Sequence, residues 1–213
     1  WIVTHPDAYQ AALIASFEAG CDFASTSTQA ASPWRAAVFG MRHKVREHNL
    51  ASARLARQVT PPDRYVAGFV SSTNPDFLEP VGNLKPREVS DGYKEQISAL
   101  LEGGVDVIMV VGNHVAEAAI AIGAAKGLAD VAVIAQNVYY AGLKGFRSMV
   151  GHDPGTGTRI LLEAGADVVG ASCGLMKAEG AVDTRSYYEC AAELVGEMRA
   201  ATDAPLAIQP NAG

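Results

Sequence analysis

The sequence predicts an α/β fold with a parallel sheet, and three observations support this prediction. Short apolar runs recur along the chain and start near residues 22, 64, 106, 130, 167 and 205. Each run is continuous rather than alternating, which is typical of strands that are buried on both faces. Helical patterns lie between the runs, and strands that alternate with helices are typical of parallel sheets.

Composition excludes several other classes of protein. The chain has 213 residues, of which 49% are hydrophobic and 19% charged, and its net charge is −6. These values exclude a disordered chain and a basic nucleic-acid-binding surface. The longest apolar run, residues 105–111, contains Asp106 and is too short to cross a membrane. Because three cysteines cannot form a disulfide framework, we expect a reducing, cytoplasmic location.

The elements follow one another in a regular order. A helical pattern over residues 11–19 leads into the first strand near Phe23. The amphipathic pattern over residues 42–59 ends before Pro61 and is followed by the second strand, residues 64–70. The remaining helical patterns cover residues 87–101, 115–126, 157–164 and 184–201. The remaining strands are predicted at residues 105–111, 130–134, 167–169 and 205–209.

Six strands of this spacing fit either a (β/α)8 TIM barrel or a doubly wound sheet. A complete barrel typically needs about 250 residues. We therefore predict a single barrel domain over residues 1–213 whose first and last strands lie outside the chain. The doubly wound sheet remains the alternative, because one sequence does not reveal the order of parallel strands.

Polar residues follow the predicted strands. In a barrel, the residues directly after each strand line the active face, whereas the Asp residues that start strands lie on the opposite, stabilising face. The predicted substrate-binding residues are Ser27, Thr28, His114, Asn137, Ser172, Gln209 and Asn211. For His114, a solvent-facing position at a helix start is the alternative. No Lys lies in a strand and no paired carboxylates follow one, which argues against a Schiff-base aldolase and a glycosidase.

The three cysteines occupy different positions. Cys173 ends the fifth predicted strand, where a thiol can be a metal ligand, a nucleophile or a buried small residue. Cys21 precedes a strand and Cys190 lies in a helical pattern, so we expect both to be packing residues. No His-x-x-x-His or Cys-x-x-Cys pair occurs, so local spacing alone completes no metal site.

Six segments form a set of motifs along the chain. The two most specific are Glu163–Gly174 and Gln209–Gly213. The others are Ala19–Thr28, Leu78–Leu84, Tyr93–Gln96 and Gly104–Ile108. Together these motifs resemble the homocysteine-binding domain of the homocysteine S-methyltransferase family, and the two most specific match it in order and separation. The resemblance extends over essentially the whole chain and implies a (β/α)8 barrel.

The resemblance also implies a zinc site with three cysteine ligands. One of them matches Cys173, and the other two form an adjacent pair that would lie beyond Gly213. Zinc lowers the pKa of a bound thiol, so that a thiolate is available at neutral pH. The implied activity is methyl transfer to or from a small-molecule thiol, in methionine biosynthesis. The methyl donor would be a sulfonium, a methylfolate or a corrinoid, the last with a corrinoid protein as partner.

The chain departs from the family pattern at substrate positions. Val111-Gly112 replaces a Glu-Thr pair whose carboxylate helps to hold the homocysteine amino group, and Val111 cannot accept a hydrogen bond. Ser172 replaces an Asn before the zinc cysteine. The substrate is therefore open between homocysteine and another thiol. Two alternatives are a divergent barrel enzyme without zinc and a non-catalytic barrel that binds a small polar ligand.

Overall fold

The computed structural model describes residues 2–73, 77–142, 145–173 and 186–210. Its helices are α1 (Pro6–Glu18), α2 (Pro33–Val38), α3 (Val45–Val59), α4 (Pro86–Glu102), α5 (Val115–Leu128), α6 (Pro154–Glu163) and α7 (Tyr187–Arg199). Its strands are β1 (Phe23–Ser25), β2 (Tyr65–Ser71), β3 (Val107–Gly112), β4 (Ala132–Asn137), β5 (Tyr140–Gly142), β6 (Gly145–Arg147), β7 (Val168–Ser172) and β8 (Leu206–Gln209). None of these helices has both the 18 residues and the apolarity that a membrane span requires.

All six predicted strands are present, as β1, β2, β3, β4, β7 and β8. Helix α6 begins three residues earlier than predicted, at Pro154, because the Asp153 carboxylate accepts a hydrogen bond from the Thr156 N–H at 2.8 Å. The sequence prediction missed α2 and the antiparallel hairpin formed by β5 and β6. Helix α2 has a start signal of its own, because the Ser32 hydroxyl caps it and Pro33 is its first residue.

Strand order decides between the two predicted folds. Hydrogen bonding orders the six strands β1-β2-β3-β4-β7-β8, so each neighbours the strands that are nearest to it in the chain. The pairs β1–β2, β4–β7 and β7–β8 are parallel. A doubly wound sheet would reverse its order partway. The sequential order is that of a (β/α)8 barrel, so the doubly wound alternative is wrong.

The chain divides into two compact units. The N-terminal unit comprises Trp1–Met109 and Ala124–Ala132, and the C-terminal unit comprises Val110–Gly123 and Val133–Gly213. In the N-terminal unit, α3 packs against α4, and Ala53, Ile97 and Leu100 are fully buried. In the C-terminal unit, one apolar cluster joins the hairpin, α7 and strands β7 and β8. Its members include Tyr139, Phe146, Ala171, Leu194 and Met198.

An aspartate holds the start of a strand in each unit. The Asp106 carboxylate accepts a hydrogen bond from the Val66 N–H at 2.7 Å, and the Asp106 N–H donates to the Val66 carbonyl at 2.9 Å. Asp167 makes the same two bonds to Val133, at 2.7 and 2.9 Å. Arg57 also donates to the Asp106 carboxylate. These contacts brace neighbouring backbone, as expected for the stabilising face.

Candidate active site

In the N-terminal unit, the threonines after β1 hydrogen-bond to the next strand. The Thr26 hydroxyl oxygen accepts a bond from the Phe69 N–H at 2.9 Å, and the Thr28 hydroxyl donates to the Phe69 carbonyl at 2.6 Å. The two hydroxyl oxygens lie 2.8 Å apart, so Thr26 can donate to Thr28. Both side chains are buried. Thr28, a predicted substrate-binding residue, is therefore engaged in joining β1 to β2.

Ser27 differs from the threonines on either side of it. Its side chain is exposed and lines a pocket together with Ile2, Ala30 and His48. Its N–H donates to the Tyr9 hydroxyl at 3.4 Å. Burial raises the pKa of Tyr9, so this hydroxyl stays protonated. The structure therefore leaves the Ser27 hydroxyl accessible to a ligand.

In the C-terminal unit, three predicted residues meet at the ends of β7 and β8. Ser172 pairs with Gln209 in the strand register, and the Cys173 N–H donates to the Gln209 carbonyl at 2.9 Å. The Ser172 hydroxyl oxygen lies 3.4 Å from the Cys173 sulfur. Cys173 is exposed and has a φ of 52°, which is uncommon for a residue with a side chain. Such strained positions cluster at functional sites.

Gln136 lies in β4, the strand beside β7, and was not among the substrate-binding residues that the sequence predicted. The register places Gln136 beside Gly170, and Gly170 beside Ala207. The Gln136 side-chain nitrogen reaches across Gly170 and donates to the Ala207 carbonyl at 3.1 Å. Its side-chain oxygen has no hydrogen-bond partner among the described residues. A glutamine inside an otherwise apolar strand was the signal that could have identified it.

Asn137, a predicted substrate-binding residue, follows Gln136 in β4. The register places it beside Ala171, which belongs to the apolar cluster. Because successive side chains in a strand point to opposite faces, Asn137 and Gln136 lie on different faces of β4. The Asn137 side-chain nitrogen donates to the Val138 carbonyl at 2.9 Å, while its oxygen has no partner in the described part of the chain. Substrate binding by Asn137 stays a prediction.

His114 directly precedes α5 and is 5% exposed. The solvent-facing alternative for this residue is therefore wrong. The Glu117 N–H donates to His114 Nδ1 at 3.4 Å, so the neutral ring carries its proton on Nε2. Within the described ranges, Nε2 has no partner. Burial lowers the pKa of His114, although the nearby Glu117 opposes this shift.

The described residues offer one exposed thiol for a metal at this end of the strands. Cys173 is a suitable zinc ligand, because zinc favours thiolates. Outside the gaps at 74–76, 143–144, 174–185 and 211–213, no group of three His, Cys, Asp or Glu residues could hold a metal. Asn211, another predicted substrate residue, lies outside the described residues. The packing prediction is confirmed for Cys190, which is buried, and wrong for Cys21, which is exposed.

Comparisons with known proteins identify the family and the fold. The homocysteine S-methyltransferase family model matches residues 1–213. The metallated crystal form of the homocysteine methyltransferase MmuM from Escherichia coli superposes with a TM-score of 0.80 at 15% identity, covering 100% of this chain and 74% of that one. The apo form of MmuM superposes with a TM-score of 0.72 at 16% identity, with the same coverage of both chains.

A 3-hexulose-6-phosphate synthase gives a TM-score of 0.52 at 13% identity, covering 96% of this chain and 74% of that one. At such identities the structural likeness shows the fold alone, and it confirms the predicted barrel-type α/β fold. The family match rests on the sequence and extends over the whole chain. The protein therefore belongs to the homocysteine S-methyltransferase family.

Proposed function

We propose that the protein is a zinc-dependent S-methyltransferase that moves a methyl group to or from a small-molecule thiol. The observation that carries this proposal is the exposed Cys173 thiol, which is held beside Ser172 and Gln209 at the ends of β7 and β8. Membership of the homocysteine S-methyltransferase family supports methyl transfer as the type of reaction. Homocysteine and other thiols are both candidate acceptors.

Zinc, when bound, would make a substrate thiolate available at neutral pH. Cys173 is proposed as one of its ligands. The Gln209 carbonyl, which accepts the Cys173 N–H, fixes the backbone that presents this thiol. The Ser172 hydroxyl lies close enough to donate a hydrogen bond to the Cys173 sulfur. In the reaction, a sulfur–carbon bond forms as the donor's bond to its methyl group breaks, and the leaving group keeps the electron pair.

Some of the remaining predicted residues enter this proposal as substrate contacts. In the C-terminal unit, His114 and Asn137 each have a buried polar atom that lacks a partner among the described residues. In the N-terminal unit, Ser27 is the exposed candidate. The methyl donor is proposed to be a sulfonium, a methylfolate or a methylcobalamin, the last delivered by a corrinoid protein. We place the enzyme in the cytoplasm, in agreement with its three free cysteines.

Metal analysis of the full-length protein tests the zinc assignment. We expect about one zinc per chain, bound with an open coordination position for substrate. The Cys173→Ser variant keeps the side-chain size and should lose both the metal and methyl transfer. Cys21→Ser is the matched control, because Cys21 is exposed but precedes β1. Full zinc content and activity in Cys173→Ser would contradict the assignment.

A second candidate is a barrel protein that binds a small polar ligand without zinc. It is supported by the buried polar atoms of Gln136, Asn137 and His114, which have no partner among the described residues. Treatment with a chelator separates the two candidates. A zinc enzyme loses methyl transfer and regains it with added zinc, whereas a protein of the second kind keeps its ligand binding unchanged.

A further inference from the structure

One face of strands β4, β7 and β8 is uncharged throughout the positions that the structure describes. Strand alternation and the register of the pairs define this surface, which we call the Gln136 face. Its members are Ile134, Gln136, Val168, Gly170, Ser172, Ala207 and Gln209. Two of its polar members, Ser172 and Gln209, adjoin the proposed metal ligand Cys173.

The orientation of the Gln136 amide is set by its partner. A carbonyl oxygen can only accept, so the atom 3.1 Å from the Ala207 carbonyl is the amide nitrogen. The amide oxygen is therefore the free end. Gln136 is 1% exposed, and this oxygen has no partner among the described residues. A buried acceptor without a donor costs free energy, and native proteins rarely leave one unpaired.

The glycine between Gln136 and Ala207 is part of this arrangement. A Cβ at Gly170 would overlap the Ala207 carbonyl oxygen, which is the atom that Gln136 binds. Gly170 and Ser172 are two residues apart, so the Gln136 row lies roughly 7 Å from the Ser172–Gln209 row. This separation is close to the length of a short thiol whose sulfur lies at the Ser172–Gln209 row.

We propose that the Gln136 side-chain oxygen accepts a hydrogen bond from the far end of the thiol substrate, and that this end is an uncharged N–H or O–H group. The inference rests on the proposed function and names its substrate class. An ammonium would lose its hydration on a face that offers no carboxylate. A carboxylate on the substrate can only accept hydrogen bonds, so its oxygens would be repelled by the Gln136 side-chain oxygen. A carboxamide or an alcohol matches the single neutral acceptor.

Binding of three thioethers of similar size tests the proposal without requiring catalysis. The probes are 3-(methylthio)propionamide, 3-(methylthio)propionate and 3-(methylthio)propylamine, which are the methylated forms of an amide, an acid and an amine thiol. Calorimetry on the full-length protein should show the amide binding at least about tenfold more tightly than the charged probes. Gln136→Met should remove this preference, and thermal unfolding checks that the variant is folded.

A second variant tests whether the charge at position 136 decides which probe is preferred. Gln136→Glu keeps the size of the side chain and adds a negative charge, so preference should move to the amine probe. Gln58→Met, on the exposed surface of α3, is the control and should bind all three probes as the parent protein does. Equal weakening of all three probes by Gln136→Met would indicate a merely structural residue and overturn the proposal.

The remaining outcomes separate this inference from the proposed function. Methyl transfer to homocysteine, with equal binding of the three probes, would overturn the role of Gln136 and leave the methyltransferase in place. Binding of the amide through Gln136 without methyl transfer to any thiol would overturn the methyltransferase. That result would keep Gln136 as the acceptor for an uncharged ligand.

Discussion

The two units use the residues that follow their strands in different ways. In the N-terminal unit, the Thr26 and Thr28 hydroxyls bond to each other and to β2, and the Ser71 hydroxyl donates to the Gln29 carbonyl at 2.8 Å. In the C-terminal unit, Gln136 and His114 each keep one buried polar atom without a partner in the described residues. The N-terminal unit has such atoms too, in Arg35 and Gln96, but both residues lie on helices.

The difference teaches that a strand-end position is not sufficient evidence of a ligand site. Both sets of residues lie at the carboxyl ends of strands or directly after them, and topology alone assigns them the same role. The hydrogen-bond partners distinguish the two sets of residues. A hydroxyl that already has its partners stabilises the fold, whereas a buried polar group without a partner would be stabilised by a bond to a ligand. Four sets of measurements test this distinction, from the largest expected effect to the smallest.

Gly170→Ala should have the largest effect. Its Cβ would overlap the Ala207 carbonyl oxygen, so β7 and β8 must separate and the Gln136 bond must break. We expect the free energy of unfolding to fall by about 3 kcal/mol or more, as measured by urea denaturation. Gly123→Ala in α5, where no atom lies within 4 Å, is the control and should gain stability. Similar stabilities for the two variants would contradict the tight packing at Gly170.

Thr28→Val should reduce stability by about 1–3 kcal/mol, because it leaves the half-buried Phe69 carbonyl and the buried Thr26 hydroxyl without their partner. The KM for a thiol substrate should stay unchanged. Urea denaturation and steady-state kinetics measure the two quantities. An unchanged stability with a raised KM would instead support the prediction that Thr28 binds substrate.

Two serine substitutions compare the units directly. Ser71→Ala should lower the free energy of unfolding by about 0.5–1.5 kcal/mol, because the Ser71 hydroxyl bonds to the Gln29 carbonyl. Ser172→Ala removes the hydroxyl beside the Cys173 sulfur, so it should lower methyl transfer more than stability. The distinction between the units fails if the two variants lose stability and activity in the same proportion.

The smallest effect concerns pH. Burial lowers the pKa of His114, so its ring stays neutral in the folded protein at a pH where the unfolded chain takes up a proton. Stability should therefore fall as the pH drops below about 6.5. His114→Asn keeps an acceptor for the Glu117 N–H but does not titrate, so its stability should fall less. Parallel denaturation curves at neutral and mildly acidic pH measure this difference, and an identical fall in both proteins would exclude His114 as a contributor.

Much of the fold could be predicted because apolar runs and helix stops are local signals. Each predicted strand lies within about two residues of its observed start, as for β3 at Val107 and β8 at Leu206. The hairpin of β5 and β6 was missed because strands of three residues have too little pattern. Strand order was beyond prediction from the residues alone, since it depends on contacts between distant segments.

The candidate site could be predicted only in part. The grouping of Ser172, Cys173 and Gln209 follows from strand ends and agrees with the structure. Topology did not distinguish Thr28, whose hydroxyl has partners, from Gln136, whose amide oxygen has none among the described residues. The partners of these atoms depend on the strand register and on the lack of a side chain at Gly170. A Cβ there would overlap the Ala207 carbonyl oxygen that Gln136 binds.

The backbone at Cys173 sets stability against the proposed role of its thiol as a metal ligand. A φ of 52° costs a residue with a Cβ about 1–2 kcal/mol relative to glycine. Directed evolution for heat resistance alone should therefore favour Cys173→Gly, which releases this strain and removes the thiol. A library selected for methyl transfer should reject the same substitution. The frequency of glycine at position 173 would then show whether a library had been selected for heat resistance or for methyl transfer.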